Sequence, residues 1–383
     1  MTDNASRLLL LDLDGVLLTP RGYHASLQET VRIVGRSLGF SGVHLSQETI
    51  DLFEAAGVTA EWDSSAICAC LLLQRLWSVD PQARLPGTSP SPTIPLHGLP
   101  LPDLRGFAET MHAQRSYDRN PLERAEALLL ERSDGLDPEQ TGHLGDLLRN
   151  ARSPDASLTH RLVQELNLGS ERFRQLYGLE PLLACQSALE QSDKPTLSPA
   201  ALRRLRAWLE PAERGAAIFT NRPSVPPDGS FGSPEAELGA RVAGLGDLPI
   251  VALGALAWLG ARRGEPLEAY LKPSPVHALA ALRCAQGEPV AAAVQTAADL
   301  ALEGKFDPGW RRLEGAVIYA LEDGARGLRS VRTAADVLRS VGIKVDVTAL
   351  GVTGSPAKAA SLEQEGAIVL PTNEAAFDQV KGF

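Results

Sequence analysis

The chain has 383 residues, a length that favours two domains over one. Hydrophobic residues make up 44% of it and charged residues 22%, which is typical of a globular protein that can bury a sizeable core. The 47 acidic residues outnumber the 37 basic ones, for a net charge of −10. Nucleic acids and anionic membranes bind basic surfaces, so this balance disfavours both as partners.

The cysteine pattern indicates reduced thiols, and the lengths of the apolar runs bear on targeting and membrane insertion. The four cysteines have no CxxC or Cys/His zinc spacing, and Cys68 and Cys70 are too close for an ordinary disulfide. The first apolar run, Leu8 to Leu11, is too short for a signal peptide, and no run approaches the ~20 residues of a membrane span. The sequence therefore predicts a cytoplasmic protein with reduced thiols and no membrane partner.

The first 200 residues are predicted to be helical apart from the first element. Residues 7–13 form a short apolar run without helical periodicity, which indicates a buried parallel strand. Apolar residues recur at helical spacing from about residue 23 to 76 and again from 107 to about 189. RSDGLDPEQ and ARSPDAS break the second pattern, since their Asp, Ser and Pro residues are stop and cap signals. Residues 80–106 are rich in Pro, Gly and Ser, and they predict an exposed loop or linker.

The rest of the chain alternates helices and strands. A helix is predicted over 199–210, and two more over PSPVHALAALRC and LRSVRTAADVLRSVG. The predicted strands are GAAIFT, DLPIVALG, EAYLKPSP, EGAVIYALEDG, KVDVTALGVTG and GAIVL. This alternation predicts βαβ units and a parallel sheet. The helical block interrupts the scheme after the first strand, so we expect an α/β core from residues 1–21 and 204–383 and an inserted helical domain from 22–203.

Polar side chains follow four of the predicted strands. In chain order they are Asp12 and Asp14, then Thr220 and Asn221, then Lys272, and finally Glu322 and Asp323. Function in open α/β sheets lies beyond the carboxyl ends of the strands. Carboxylates, a hydroxyl and an ammonium at one sheet edge are the groups that phosphoryl transfer needs: a nucleophile, a second acid, metal ligands and phosphate contacts.

The four segments resemble, in order, the motifs of the haloacid dehalogenase-like (HAD) superfamily. The first motif is LLLLDLDGVL, the second AAIFTNRP, the third YLKPSP and the fourth VIYALEDGARGL. The resemblance extends over roughly half of the chain and covers the helical block only weakly. The resemblance is to the branch whose helical cap is inserted after the first strand. It implies a Rossmann-like parallel sheet with an enlarged, all-helical cap.

The resemblance also implies a role for each strand-end residue. Asp12 would be the nucleophile that forms an aspartyl-phosphate, and Asp14 would protonate the leaving group and then activate water. Thr220 would bind a phosphoryl oxygen, with Asn221 beside it as a substrate contact. Lys272 would bridge Asp12 and the phosphate.

A magnesium ion is implied as the cofactor. Its implied ligands are the carboxylates of Asp12 and Asp323 and the backbone carbonyl of Asp14, with Glu322 as a supporting acid. Lys272 is distinctive on composition as well. Arginine outnumbers lysine 31 to 6, so an ordinary surface position would be expected to carry Arg.

The chain departs from the family pattern in three places. Many members carry a second acid four residues after the fourth-motif Asp, where this chain has Gly327. The helical block is larger than the branch's usual cap, and residues 286–315 make the stretch before the fourth strand longer than usual. The larger block and the longer stretch affect the expected substrate rather than the expected chemistry. The resemblance implies that Gly327 does not argue against activity, because active members of the branch carry a similar Glu-Asp variant.

Within the helical block, residues 55–67 are expected to contribute to substrate recognition. Trp62 and Asp63 lie between two helical patterns, where caps of this branch place their substrate-reading loop. The alternative is a helix–helix turn in which Trp62 fills a core and Asp63 or Ser64 caps the next helix.

The segment GVTGSPAK, residues 351–358, has the glycines of a phosphate-binding loop but lacks its Gly-Lys-Ser/Thr sequence. It is expected to be a turn before the last helix.

The expected function is Mg²⁺-dependent hydrolysis of a small phosphorylated metabolite, a phosphate monoester, with closure of the helical domain excluding water. A phosphomutase that uses the same residues is one alternative. A binding or regulatory protein of the same fold without turnover is another. A haloacid dehalogenase is disfavoured because that reaction needs no acid at position 14. The sequence does not predict the oligomeric state.

Overall fold

The computed structural model describes residues 6–83, 99–114, 120–132 and 135–383. The part of the predicted Pro-rich loop from 84 to 98 lies outside the described residues. The chain divides into two compact units. One consists of Met1–Pro20 and Asp193–Phe383 and contains the main sheet, and the other is Arg21–Ser192.

The sheet-bearing unit is a Rossmann-like α/β fold. Its main strands are β1 (Arg7–Leu11), β4 (Arg214–Phe219), β5 (Ile250–Val251), β6 (Ala316–Glu322), β7 (Val345–Val352) and β8 (Ile368–Leu370), and the short strands β2 (Leu18–Thr19) and β3 (Lys194–Pro195) form a separate pair. The main sheet has the order β5-β4-β1-β6-β7-β8, and all of its strand pairs are parallel. The predicted parallel sheet is therefore confirmed.

Helices cover both faces of this sheet. They are α10 (Pro199–Leu209), α11 (Glu235–Val242), α12 (Leu253–Arg263), α13 (Pro275–Ala285), α14 (Val290–Glu303), α15 (Ala325–Ser340), α16 (Pro356–Gln364) and α17 (Asn373–Phe377), with 3₁₀ turns at Leu267–Ala269 and Pro308–Leu313. The side chains of Ser198 and Ser274 cap the first turns of α10 and α13. Nearly half of the unusually long stretch at 286–315 is α14, which packs on α13.

The side chains of β1 alternate between two hydrophobic layers. Leu8 and Leu10 join a core formed with α12 to α15, whereas Leu9 and Leu11 join a second core on the opposite face. All four side chains are at most 2% exposed. Burial on both faces explains why the first strand is a continuous apolar run rather than an alternating one.

The connections that leave and re-enter the sheet-bearing unit pair with each other. β2 and β3 are antiparallel, with Leu18 opposite Pro195 and Thr19 opposite Lys194. Thr196 extends the pairing because its hydroxyl donates to the Val16 carbonyl and its N–H to the Leu17 carbonyl. These bonds place the second boundary at Ser192/Asp193, whereas the sequence placed it at 203/204.

The unit Arg21–Ser192 is helical. Its helices are α1 (Gly22–Ser37), α2 (Gln47–Ala55), α3 (Glu61–Val79), α4 (Leu104–Ala113), α5 (Pro121–Glu131), α6 (Pro138–Arg149), α7 (Leu158–Leu168), α8 (Ser170–Tyr177) and α9 (Ala188–Ser192). Asp137 caps α6 and Ser157 caps α7, as the Asp, Ser and Pro signals predict. The described helices of the chain include none that is long and apolar enough to cross a bilayer.

One predicted strand is wrong. The segment EAYLKPSP begins within a 3₁₀ turn, Leu267–Ala269, and continues as an irregular turn that carries Lys272. Its backbone bonds are local, since the Tyr270 N–H donates to the Leu267 carbonyl. Pro273 and Pro275, which lack an N–H, lie within the segment and reduce the donors that it could offer to a sheet.

The buried His277 of α13 makes the stability of the sheet-bearing unit depend on pH. Its Nε2 lies 2.9 Å from the Val251 carbonyl, to which it donates when neutral, and burial together with the Lys272 charge lowers its pKa to about 3. The unfolded chain would protonate this histidine near pH 6.5. The unfolded state thus binds more protons between about pH 6.5 and 3, so stability falls as the pH falls through this range.

We expect the His277→Gln variant to lose about 2 kcal/mol less of its free energy of unfolding than wild type between pH 7 and pH 5. Urea titrations at the two pH values measure this difference. The exposed His44 provides the control, because His44→Gln should keep the wild-type pH dependence. Equal pH dependence in His277→Gln and wild type would contradict the assignment.

Candidate functional site

Three central strands bring the first, second and fourth motifs to one edge of the sheet. Leu11 of β1 lies opposite Ile218 of β4 and Leu321 of β6. The residues that follow these positions therefore leave the sheet at the same edge. The Asp12 N–H continues the ladder by donating to the Leu321 carbonyl at 3.0 Å.

Lys272 connects two of these strand ends. Its Nζ donates to Asp12 Oδ1 at 2.7 Å and to Glu322 Oε1 at 2.6 Å, and it lies 3.9 Å from the centre of the Phe219 ring. The Lys272 residue is 5% exposed. The third motif thus reaches the site although its predicted strand is absent.

The loop of Lys272 is held by the first turns of α15. Arg326 donates to the Lys272 carbonyl at 2.8 Å, and the Ser330 hydroxyl donates to the Ser274 carbonyl at 2.6 Å. Because only Gly324 separates Asp323 from the start of α15, the fourth motif also positions the lysine of the third.

Three carboxylates gather around this ammonium. Asp12, Glu322 and Asp323 each offer an oxygen, and these oxygens lie within 4.8 Å of one another. Asp323 is partly exposed, and its Oδ2 accepts a hydrogen bond from Lys358 Nζ at 2.6 Å. Its carboxylate packs over Gly15, where a Cβ would lie 2.5 Å from Oδ2.

The buried part of this cluster has more negative than positive charge. Burial raises the pKa of Asp12 to about 6, although Lys272 opposes the shift. Burial and the neighbouring Asp12 also raise the pKa of Glu322 above its usual value. Burial disfavours the charged form of Lys272, but the two carboxylates outweigh it and hold the pKa of Lys272 above its usual value. Such a carboxylate-rich site can accept a further cation.

Asp14 belongs to a separate charge network. The Arg222 guanidinium donates to both Asp14 oxygens, with Nε 3.0 Å from Oδ1 and 2.9 Å from Oδ2, and its Nη2 also donates to Asp193 Oδ2 at 2.9 Å. The Asp14 side chain is 33% exposed, whereas those of Arg222 and Asp193 are 2% and 0% exposed.

The second motif supplies one buried and one exposed side chain. Thr220 is 2% exposed, directly after β4, and its Oγ1 accepts a hydrogen bond from the Arg222 N–H at 3.3 Å. Asn221 is exposed. Its predicted role as a substrate contact stays a prediction.

Trp62 and Asp63 lie in the helical unit, at the start of α3 rather than in a loop. Asp63 is 3% exposed, and its two oxygens accept hydrogen bonds from Arg152 at 3.1 and 2.7 Å. The Trp62 ring packs against His160, 5.6 Å between centres. These contacts explain both residues by the packing of the helical unit, and their proposed substrate contact stays a prediction.

Gly327 accounts for the departure in the fourth motif. A Cβ at this position would lie 1.8 Å from Glu322 Oε1 and 2.0 Å from Cδ. The Glu322 carboxylate therefore occupies the space that a side chain at 327 would need. Glu322 and an acid at 327 exclude each other in this arrangement.

Sequence reasoning missed three charged residues at this edge: Arg222, Asp193 and Lys358. Arg222 stands inside the second motif, but the motif itself draws attention only to the threonine. Lys358 is one of six lysines and ends the segment GVTGSPAK, so lysine scarcity was a usable signal. Asp193 had none, because its role depends on a partner 29 residues away.

Comparisons with known proteins establish the fold alone. No protein-family model matches the chain, and no curated protein matches it. A solved X-ray structure described only as a Northeast Structural Genomics Consortium target resembles it with a TM-score of 0.64. The match covers 98% of this chain and 99% of that one at 14% sequence identity.

The contact between residue 327 and Glu322 predicts an unusual effect of a small substitution. Gly→Ala inside a helix ordinarily stabilises by roughly 0.5–1 kcal/mol. We expect Gly327→Ala instead to lower the free energy of unfolding by about 2–4 kcal/mol, because it displaces Glu322 from the buried Lys272. Urea denaturation measures the change.

Gly324→Ala is the matched control. A Cβ at Gly324 would meet nothing within 4 Å, so its effect should stay within about 1 kcal/mol. Wild-type stability in Gly327→Ala would show that Glu322 does not need this space.

Proposed function

We propose that the chain is a HAD-like phosphohydrolase that cleaves a small phosphate monoester through an aspartyl-phosphate on Asp12. The observation that carries this proposal is the Lys272 ammonium, which bridges Asp12 and Glu322 beside Asp323 at the carboxyl edge of a parallel sheet. Four sequence motifs from four parts of the chain meet in this arrangement. Structural ion pairs alone would not need Asp323 and Thr220 at the same edge.

In the first proposed step, an oxygen of Asp12 attacks phosphorus and the bond to the leaving oxygen breaks. Asp14 gives its proton to that oxygen, so the product leaves as an alcohol. Lys272 and Thr220 hold the non-bridging phosphoryl oxygens, whose negative charge the ammonium stabilises. Lys272 suits this role because it is a compact charge already held against the nucleophile.

In the second step, water attacks phosphorus and Asp14 accepts a proton from it. The phosphorus–oxygen bond to Asp12 breaks, which regenerates the carboxylate and releases inorganic phosphate. Asp14 can serve both steps because its side chain is partly exposed, whereas Asp12 is almost fully buried.

A divalent cation fits the residues present. Hard oxygen donors from Asp12, Glu322 and Asp323 lie together, and burial with excess negative charge raises the pKa of both Asp12 and Glu322. We propose Asp12, the Asp14 carbonyl and Asp323 as Mg²⁺ ligands, with Glu322 supporting. When bound, the ion supplies electrostatic stabilisation of the phosphoryl charge.

The helical unit Arg21–Ser192 is proposed to be the inserted cap that selects the substrate. Chain order supports this, since segments of the sheet-bearing unit flank it on both sides. The substrate is proposed to be a small phosphorylated metabolite in the cytoplasm. A phosphomutase would use the same side chains, so an experiment has to distinguish it from a phosphohydrolase.

The test is a phosphatase screen over a panel of phosphorylated metabolites with Mg²⁺. We expect wild type to turn over at least one substrate and Asp12→Asn to lose roughly 10³-fold or more in kcat/KM, since it lacks the nucleophile. An acid quench during turnover should trap a phosphoryl adduct on the peptide that contains Asp12.

Asp346→Asn is the control, because this acid is exposed on β7 away from the strand end. It should retain wild-type turnover. If the protein instead isomerises a sugar phosphate and needs a sugar bisphosphate to do so, the phosphomutase is the correct function and not the phosphohydrolase. No turnover by wild type, or equal turnover by Asp12→Asn, would refute the enzymatic proposal.

Lys358 is expected to compete with the cation for Asp323, whose Oδ2 it binds at 2.6 Å. An exposed ion pair is worth up to ~1 kcal/mol, so Lys358→Met should bind Mg²⁺ about fivefold more tightly. Calorimetric titration without substrate measures this affinity. Lys344→Met, at an exposed position, should bind like wild type, and an unchanged affinity in Lys358→Met would contradict the competition.

A further inference from the structure

The Arg222 network contains more than is needed to bury an arginine. The pair of Arg222 and Asp193 is neutral, and both side chains are almost completely buried. A third charged group is not required for this burial. Yet the guanidinium also directs its Nε and Nη2 at the Asp14 carboxylate.

The positions of the three groups differ in a way that favours a role for Asp14. Arg222 and Asp193 form a buried ion pair, and Asp14 is the member of the network that solvent can reach. Arg222 can donate to both Asp14 oxygens at once, which fixes the plane of the carboxylate as well as its place.

Arg222 is itself rigidly held. Its N–H donates to Thr220 Oγ1, and its carbonyl accepts from the Leu253 N–H at 3.1 Å. Gly239 of α11 leaves room for the guanidinium, because a Cβ there would lie 2.9 Å from Nη1. A side chain fixed at both ends can orient a partner with little loss of entropy.

We infer that Arg222, anchored by Asp193, is the positioning residue that orients the Asp14 carboxyl toward the leaving-group oxygen. This inference rests on the proposed phosphohydrolase function. Asp14 follows the end of β1, and its backbone forms a bridge with Leu18. The two bonds from the guanidinium hold its carboxylate in one orientation.

The leaving group provides the readout. Departure of p-nitrophenolate needs no proton, whereas departure of an alkoxide from an alkyl phosphate does. The constant kcat/KM covers the steps up to departure, so loss of Asp14 orientation should penalise the alkyl phosphate selectively. A purely structural role for Arg222 would lower both substrates by the same factor.

The experiment compares kcat/KM for p-nitrophenyl phosphate with that for an alkyl phosphate in wild type, Asp14→Asn, Arg222→Lys and the double variant Arg222→Gln/Asp193→Asn. The double variant removes one positive and one negative charge together, which avoids an unpaired buried carboxylate at Asp193. Arg222→Lys keeps the charge but lacks the planar fork.

We expect the ratio of the aryl to the alkyl constant to rise roughly tenfold in both Arg222 variants, a part of the 10²–10⁴-fold that a positioned acid contributes. In an Asp14→Asn background the same changes should not raise the ratio further. Arg204→Gln, which removes an exposed ion pair with Asp378, should keep the wild-type ratio.

The outcomes separate the two proposals. A raised ratio in Asp14→Asn with an unchanged ratio in both Arg222 variants overturns the inference and leaves the phosphohydrolase intact. No hydrolysis of either substrate by wild type overturns both. A raised ratio in the Arg222 variants that persists in the Asp14→Asn background also overturns the inference, because the effect would then bypass Asp14.

Discussion

The site depends on one buried ammonium held between two buried carboxylates. Lys272 lies 260 residues from Asp12 and 50 from Glu322 along the chain, and all three are less than 10% exposed. Removing Lys272 would leave two carboxylates uncompensated in a low-dielectric interior, which typically costs several kcal/mol. The parallel register of β1, β4 and β6 and the anchoring of the Lys272 loop to α15 therefore serve the same requirement: three charges have to meet at one point.

Space is the second constraint at this edge, and two glycines satisfy it. Gly15 leaves room for the Asp323 carboxylate, and Gly327 leaves room for that of Glu322. Gly15 also has φ +75°, a conformation that other residues rarely adopt. The missing acid at 327 is thus part of a consistent alternative arrangement. Glu322 at the end of β6 supplies the carboxylate, and α15 has a glycine at 327, where many family members carry an acid.

Local pattern predicted what is locally determined, and long-range contacts account for the rest. The apolar run of β1 and the caps Asp137 and Ser157 follow from spacing and residue type, so they were readable in the sequence. EAYLKPSP was predicted to be a short strand, but its prolines and its contacts with α15 decide its shape. Arg222 lies 208 residues from Asp14, and no periodicity reports such a pair. The candidate carboxylates and Lys272 could be named only because each ends a motif with a fixed place along the chain.

The two acids of LDLDG, Asp12 and Asp14, differ in the kind of cation that each one contacts. Asp12 contacts a lysine, whose flexible stem and single charged nitrogen can shift toward an incoming phosphoryl group while staying near the carboxylate. Asp14 contacts an arginine, whose planar fork fixes a carboxylate in one orientation. In the proposed reaction the nucleophile has to exchange partners as charge moves, and the acid has to return to the same place for both proton transfers. An adaptable cation beside Asp12 and a rigid one beside Asp14 match these opposite needs, which is why exchanging the Lys and the Arg would conserve charge without conserving either role.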